Sequence, residues 1–348
     1  NTPEAHWELP ASPFHAAALV TALADHKTIF IEKGIEKLAE RYIILLGWDR
    51  IGTASGRDQK WVRAYQQSAV AFINFLGHRA VIADDVGLGK TIEALSAVWQ
   101  YMRVARVLVV APANVIYKWE REILDPTQRF PWSGEWTVEV LPSKATPNGN
   151  TQFTIVSYDI MTRRVDELVA EKFDILILDE LTYVKNYRAL RTKAAEKLAE
   201  SAAYIIGLTG TPLLNDRPIE LWPSLHMINS IGWPSLWGST GYGDRYCGGR
   251  TEYGTFQGAT HLSELSERLK STTIRRTKAE VLSELPALSI VPVPVRANLR
   301  EYKKVEVNVK EVILAMNPSS KGYWLGVLDR LNYLRQAAGI AKIKSVTE

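Results

Sequence analysis

The chain has 348 residues, 46% hydrophobic and 23% charged, with Lys+Arg 42 against Asp+Glu 38 for a net charge of +4. These values exclude a disordered chain, a collagen and a small disulfide scaffold, and they leave room for two or three domains. A single cysteine, Cys247, excludes an intrachain disulfide and fits a reducing compartment.

In chain order, residues 1–60 carry helical apolar spacing at 16–24 and 35–46, followed by a linker around Gly52 and Gly56. From Trp61 onward short apolar runs at 80–83, 107–110, 153–156, 175–178 and 203–208 read as strands. Amphipathic stretches at 65–75, 90–102, 115–124, 166–171 and 189–199 read as the helices between them. That alternation predicts an α/β fold with a doubly wound, mostly parallel sheet, whose ligands bind at the carboxyl ends of the strands. Residues 230–258, rich in Gly, Trp and Tyr, read as a packed insertion, and the tail from Leu299 reads as helix broken at Asn317–Pro318. The resulting plan is a helical lead-in over 1–60, an α/β lobe over 61–228, an insertion with a basic segment over 229–298 and a helical extension over 299–348. No apolar run approaches the roughly 20 residues of a membrane span. The expectation is an intracellular protein that is not secreted and has no membrane partner. The chain opens at Asn1 without Met or a leader, which reads as a processed chain or a part of a longer one.

The most informative segment is Ala83-Asp84-Asp85-Val86-Gly87-Leu88-Gly89-Lys90-Thr91, which follows an apolar strand and opens a helix. Glycines at 87 and 89 let backbone N–H groups approach phosphate oxygens at a helix N-terminus. Lys90 supplies a point charge for the β- and γ-phosphates, and Thr91 a hydroxyl ligand for Mg²⁺. The usual G-x-x-x-x-G-K-[ST] pattern has Gly where this chain has Asp84. Further on, Ile175-Leu176-Ile177-Leu178 ends in Asp179-Glu180. There Asp179 suits Mg²⁺ and Glu180 suits the orienting or deprotonation of an attacking water. Lys90, Thr91, Asp179 and Glu180 are thus the candidate catalytic residues, with Thr91 and Asp179 as the metal ligands.

Taken in order, these motifs resemble the Swi/Snf family of superfamily-two DNA-dependent ATPases. The match runs through Gln66 in Val62-Arg63-Ala64-Tyr65-Gln66, the loop Asp84–Glu93 with its acid at Asp84, and Val109-Val110-Ala111-Pro112 with Trp119 and Glu122. It continues through Val156-Ser157-Tyr158, Lys185-Asn186, Leu208-Thr209-Gly210-Thr211-Pro212, Pro218-Ile219-Glu220-Leu221-Trp222 and Ile274-Arg275-Arg276-Thr277-Lys278 with Leu285-Pro286. Tyr246-Cys247-Gly248 and Ala338-Gly339-Ile340-Ala341-Lys342 are most similar to the HepA-related, annealing-helicase branch.

The resemblance covers residues 61–348 and implies the first RecA-like lobe of an ATP-driven translocase or remodelling helicase acting on double-stranded or branched DNA. It implies ATP and Mg²⁺ as cofactors, held by Arg63, Gln66, Asp85, Gly87, Leu88, Gly89, Lys90 and Thr91. For DNA it implies contacts from Asn114, Lys118, Ser157, Tyr158, Lys185, Asn186 and Thr209, mostly to phosphates. It also implies a second RecA-like lobe whose arginines complete the site, beginning near the end of this chain. Two alternatives stand beside it: a restriction-type translocase subunit, and a module that binds ATP and DNA but hydrolyses little. One residue departs from the family: Thr182 stands where Asp-Glu-x-His is usual, so coupling to DNA is expected to differ.

Residues 268–304 hold nine Lys+Arg against three Glu, an excess of +6 that is larger than that of the whole chain. The cluster reads as the wall of a DNA groove, with Arg275 and Arg276 reserved for acids on the second lobe. Trp99, Trp119 and Trp222 read as core, as do Trp233 and Trp237 in the insertion. The six histidines lack metal spacing, His226 packs or caps a helix, and Cys247 is structural.

Overall fold

Seven parallel strands form the centre of the computed structural model, which describes residues 61–102, 104–212, 217–229, 232–249, 251, 254–282, 299–318, 320 and 322–347. The helices expected before residue 61, the Leu285-Pro286 match and Arg296 lie outside the described residues. The strands are β1 (Arg79–Ile82), β2 (Val107–Ala111), β3 (Val138–Val140), β4 (Phe153–Ser157), β5 (Ile175–Asp179), β6 (Tyr204–Leu208) and β7 (Thr273–Ile274). Their order across the sheet is β3-β4-β2-β5-β6-β1-β7, and every pairing is parallel. Continuous apolar runs are what a parallel sheet covered on both faces requires. All residues of β2 and β4 are buried, as are the first four of β5.

Period-two alternation divides the core. Val107, Val109 and Ile177 pack with Phe72, Val98 and Trp119 on one face. Leu108, Val110 and Leu178 pack with Met161, Leu168 and Ala195 on the other. The covering helices are α1 (Ala64–Phe75), α2 (Lys90–Tyr101), α3 (Ile116–Leu124), α4 (Tyr158–Arg163), α5 (Val165–Ala170), α6 (Leu190–Ser201) and α7 (Trp222–Ile228). β3, β7 and α4 are among the elements absent from the sequence reading, as are α7 and the short helices of the insertion. β3 and β7 have three and two residues, too few for a period to register, and α4 has six and is nucleated by an N-cap at Ser157.

The insertion continues with α8 (Tyr242–Tyr246), α9 (Leu262–Leu269) and α10 (Lys278–Val281). It has its own small core of Trp233, Leu236, Tyr242, Tyr246, Cys247, Phe256 and Leu265, and through β7 it adds an edge strand beside β1. The chain divides into two compact units after Ser283, so the insertion shares a unit with the lobe. In the second unit α11 (Leu299–Ala315) packs on α12 (Tyr323–Thr347), the break falling at 316–322 around Asn317 and Pro318. Among the described residues no helix is long and apolar enough to cross a membrane.

Register fixes where chemistry can sit. Ile82 pairs with Leu208 and Ile274, and Leu178 pairs with Val110 and Gly207. The segments after β1, β5, β6 and β7 therefore emerge side by side at one edge of the sheet.

Candidate nucleotide site

The segment after β1 turns into α2 through Gly87 (φ 92°) and Gly89 (φ 87°), both left-handed. A Cβ at Gly89 would stand 2.5 Å from the Gln66 amide nitrogen and displace it, and the left-handed backbone there strains any residue but glycine. Lys90 is the first residue of α2. Its ammonium donates to the carbonyls of Asp84 (2.6 Å) and Asp85 (3.2 Å), so it is curled back over the loop. Burial lowers the Lys90 pKa, opposed by Glu93, Asp84, Glu180 and Asp179. A half-buried cation whose hydrogen bonds go to neutral carbonyls is poised to receive an anion. Thr91 follows on the same turn, half-buried.

Gln66 comes in from α1. Its amide nitrogen donates to Leu88 O (3.0 Å), its oxygen accepts from Arg63 N–H (2.9 Å), and Tyr65 O–H donates to Leu88 O (2.8 Å). Leu88 itself is buried, while Arg63 is exposed.

Asp84 explains the departure from the glycine pattern. It is fully buried, and its carboxylate accepts from Arg276 Nη2 (2.5 Å), Nε (3.2 Å) and backbone N–H (3.0 Å). The same Nη2 donates to Glu93 Oε1 (3.2 Å), and Nη1 donates to Tyr65 O. Burial, reinforced by the Asp84 charge and opposed by Arg276, pushes the Glu93 carboxyl well above the usual range. Arg275 donates to Ala83 O (2.9 Å) and Asp85 Oδ1 (3.3 Å), and Lys278 N–H donates to Asp85 Oδ2 (3.1 Å). The segment after β7 thus grips the loop after β1. This corrects one expectation: the acids that pair with Arg275 and Arg276 belong to the same lobe. Arg268 likewise is buried over the Trp233 ring and donates to Gly232 O (2.5 Å), inside the insertion core. Lys270 pairs with Glu267 at 3.1 Å.

Asp179 ends β5. Its carboxylate accepts from Trp119 Nε1 (2.8 Å) and its carbonyl from Tyr158 O–H (2.8 Å). Burial raises the Asp179 pKa, the Trp119 hydrogen bond opposes the rise, and Glu180 adds to it. Glu180 holds a left-handed backbone (φ 58°), and its Oε1 accepts from Thr182 O–H at 2.9 Å. Thr182, at the position where the family pattern has histidine, thus engages the Glu180 carboxylate.

Asn114, Lys118 and Asn186 are exposed. Lys185 is half-buried and paired with Glu220 at 3.3 Å. Ser157, Tyr158 and Thr209, the other residues expected at DNA, have buried side chains. Ser157 Oγ accepts from Ile160 N–H, Tyr158 O–H braces Asp179, and Thr209 Oγ1 accepts from Thr211 N–H. Trp233 is buried as expected, whereas Trp237 is half exposed. His226 stacks on Trp222 at 4.8 Å. The Cys247 thiol is buried and pushed up to about 12, which removes it as a nucleophile. Among the described residues no group of three or more His, Cys, Asp or Glu side chains is placed to hold a metal ion.

Trp119, Tyr158, Thr182 and Glu93 complete the site, with the Arg276 clamp. Trp119 and Thr182 stand in motif positions that carry no hint of their partners. For the clamp, the one sequence signal is an acidic pair, Asp84-Asp85, opposite a basic triplet nearly two hundred residues on.

A family model described as the SNF2-related domain matches residues 65–336. Among curated proteins, the SWI/SNF-related matrix-associated actin-dependent regulator of chromatin subfamily A-like protein 1 of Xenopus tropicalis is 32% identical over 295 residues. That match covers 82% of this chain and 29% of the relative. The human DNA annealing helicase and endonuclease ZRANB3 is 27% identical over 297 residues, 82% of this chain and 27% of the relative. The chain thus spans less than a third of the length of these relatives. A solved Sulfolobus solfataricus SWI2/SNF2 ATPase core in complex with dsDNA has a TM-score of 0.52 at 21% identity, covering 79% of this chain and 58% of that one.

Proposed function

The chain belongs to the SNF2-related domain family, and from that membership and the geometry of its strand ends we propose that it is the ATP-binding lobe of a DNA-stimulated ATPase that moves on double-stranded or branched DNA. The observation that carries this reading is the preformed loop 84–91, with a half-buried Lys90 ammonium resting on two backbone carbonyls beside the Asp179-Glu180 strand end.

In this reading Lys90 exchanges its carbonyl partners for β- and γ-phosphate oxygens of ATP, and the backbone around Gly87 and Gly89 cradles them. Gln66 keeps one amide N–H and one lone pair beyond those already used, enough to pair with an adenine edge. The hydroxyl of Thr91 and the carboxylate of Asp179 are hard oxygen donors, which suits Mg²⁺. When bound, Mg²⁺ neutralises charge on the phosphate oxygens. Glu180, held by Thr182, orients the attacking water and accepts its proton. The new bond joins water oxygen to the γ-phosphorus, the bridging P–O bond breaks, and ADP leaves with the electron pair. Trp119 and Tyr158 act as positioning residues for Asp179.

The exposed Asn114, Lys118 and Asn186 are the proposed contacts to DNA phosphates, and a second RecA-like lobe supplies the remaining positive charge at the site. The test is phosphate release by the full-length protein with and without duplex or forked DNA. Stimulation by DNA that disappears in Lys90→Ala is expected. A rate indifferent to every DNA tried sinks the motor reading. DNA affinity is also expected to fall with salt, with a slope of roughly −0.9 per phosphate contacted.

A further inference from the structure

Behind the nucleotide edge, within the lobe, lies a cavity of about 290 Å³ that the reading above does not use. Its walls come from the ends of β1, β6 and β7, the turn after β5, α7 and α9. Val81, Leu181, Leu225 and Leu269 give it an apolar interior, and Lys185, Lys270 and Arg275 outnumber Glu220 among its charged lining residues. Pockets of roughly 300 Å³ with apolar walls and a few convergent polar groups are the usual form of a small-molecule site. Lys270 is committed only to a solvent-exposed pair with Glu267, whose side chains are 37% and 52% exposed, and exposed pairs of this kind hold weakly.

Two walls of the cavity also belong to the nucleotide site. Thr182 lines it and donates its hydroxyl hydrogen to Glu180 Oε1. Arg275 lines it and bonds Ala83 O and Asp85. An occupant that accepts the Thr182 hydroxyl, or turns its side chain, leaves Glu180 without that partner. This is the differential contact that coupling between two sites requires.

We propose that this cavity is a regulatory site for a small aromatic acid, its ring system in the Val81–Leu225–Leu269 chamber and its anionic group at Lys270 and Arg275, and that occupancy slows hydrolysis through Thr182. The effect on rate rests on the function proposed above, whereas binding does not. The probe is 1-anilinonaphthalene-8-sulfonate, a fluorescent aromatic anion. Titrated into the folded chain at saturating ADP, it should give a saturable, one-to-one rise in fluorescence. Ser266→Trp places an indole from the exposed wall residue Ser266 into the cavity and should weaken binding at least tenfold. Lys270→Glu should weaken it severalfold, each variant keeping the wild-type circular dichroism spectrum. Absent or non-saturable binding, loss of the signal on adding ADP, or unchanged affinity in both variants overturns the site. In the full-length protein the bound probe should lower kcat for ATP at least threefold with KM unchanged. Binding without a change in kcat overturns the regulatory half of the proposal, and a protein that turns over no ATP leaves the titration to decide the site alone.

Discussion

The loop after β1 and the corner after β5 stand at the same edge of one sheet, yet different forces hold them. Around loop 84–91 the contacts are charged and long-range. Arg276, Arg275 and the backbone of Lys278 reach back to Asp84, Asp85 and Glu93. Around Asp179-Glu180 the contacts are neutral donors, namely Trp119, Tyr158 and Thr182. A buried charged clamp is costly to break because its carboxylates lose their directly hydrogen-bonded cation, whereas a neutral hydrogen bond can be changed one at a time at modest cost. The loop is therefore a fixed cradle, and the carboxylate corner is the adjustable part.

The strongest way to break this contrast is Arg276→Ala. It leaves Asp84 and Glu93 buried and adjacent without their hydrogen-bonded guanidinium, and removing one partner from such a cluster costs about 3–5 kcal/mol. Urea unfolding should shift to a clearly lower midpoint, with nucleotide affinity falling alongside. Arg276→Lys should recover only part of the loss, because an ammonium cannot make the forked contacts to two carboxylates. An unchanged midpoint in the alanine variant would mean that the clamp does not hold the loop.

At the other corner smaller effects are expected. Thr182→Val should lower kcat about tenfold, equivalent to about 1.4 kcal/mol, with KM for ATP and thermal stability near wild type. A change in KM alone would place Thr182 in nucleotide binding instead. Tyr158→Phe removes one hydroxyl donor to a backbone carbonyl, so about 1 kcal/mol of stability should go with it. A wild-type melting temperature in that variant contradicts the bracing role.

The smallest effect belongs to the opposite end of the sheet. Burial lowers the pKa of both His78, just before β1, and His226, at the end of α7. Below about 6.5 the unfolded chain takes up protons that the folded chain does not, so stability is lost as pH falls from there toward the depressed folded values. Melting curves between pH 7.5 and 5 should show this slope, reduced in His226→Phe, while nucleotide affinity per folded molecule holds. A variant with the wild-type slope removes His226 from the account.

What the sequence made legible follows the same division. Strand, glycine loop and helix lie within residues 79–101, so local pattern alone singles out Lys90, Thr91 and, by the same logic, Asp179 and Glu180. The partners of Asp84 were hidden because Arg276 lies 192 residues away, on a loop whose place is set by a two-residue strand that no periodicity announces. Ser157, Tyr158 and Thr209 are candidates for DNA contact by motif position, and their local roles as helix cap, brace and turn acceptor are not visible in the sequence. The pairing of Arg275 and Arg276 is hidden for a related reason: charge counted along the chain says nothing about the acids it meets across the sheet.

The central claim is that the edge formed by loop 84–91 and Asp179-Glu180 is built to hold Mg-ATP through Lys90. Equilibrium titration of a fluorescent ATP analogue with Mg²⁺ tests it most directly, on the wild-type chain and on Lys90→Ala with matching circular dichroism spectra. Saturable binding by the wild type, weakened at least tenfold in Lys90→Ala, is the predicted result. Equal affinity in the two proteins would contradict the account.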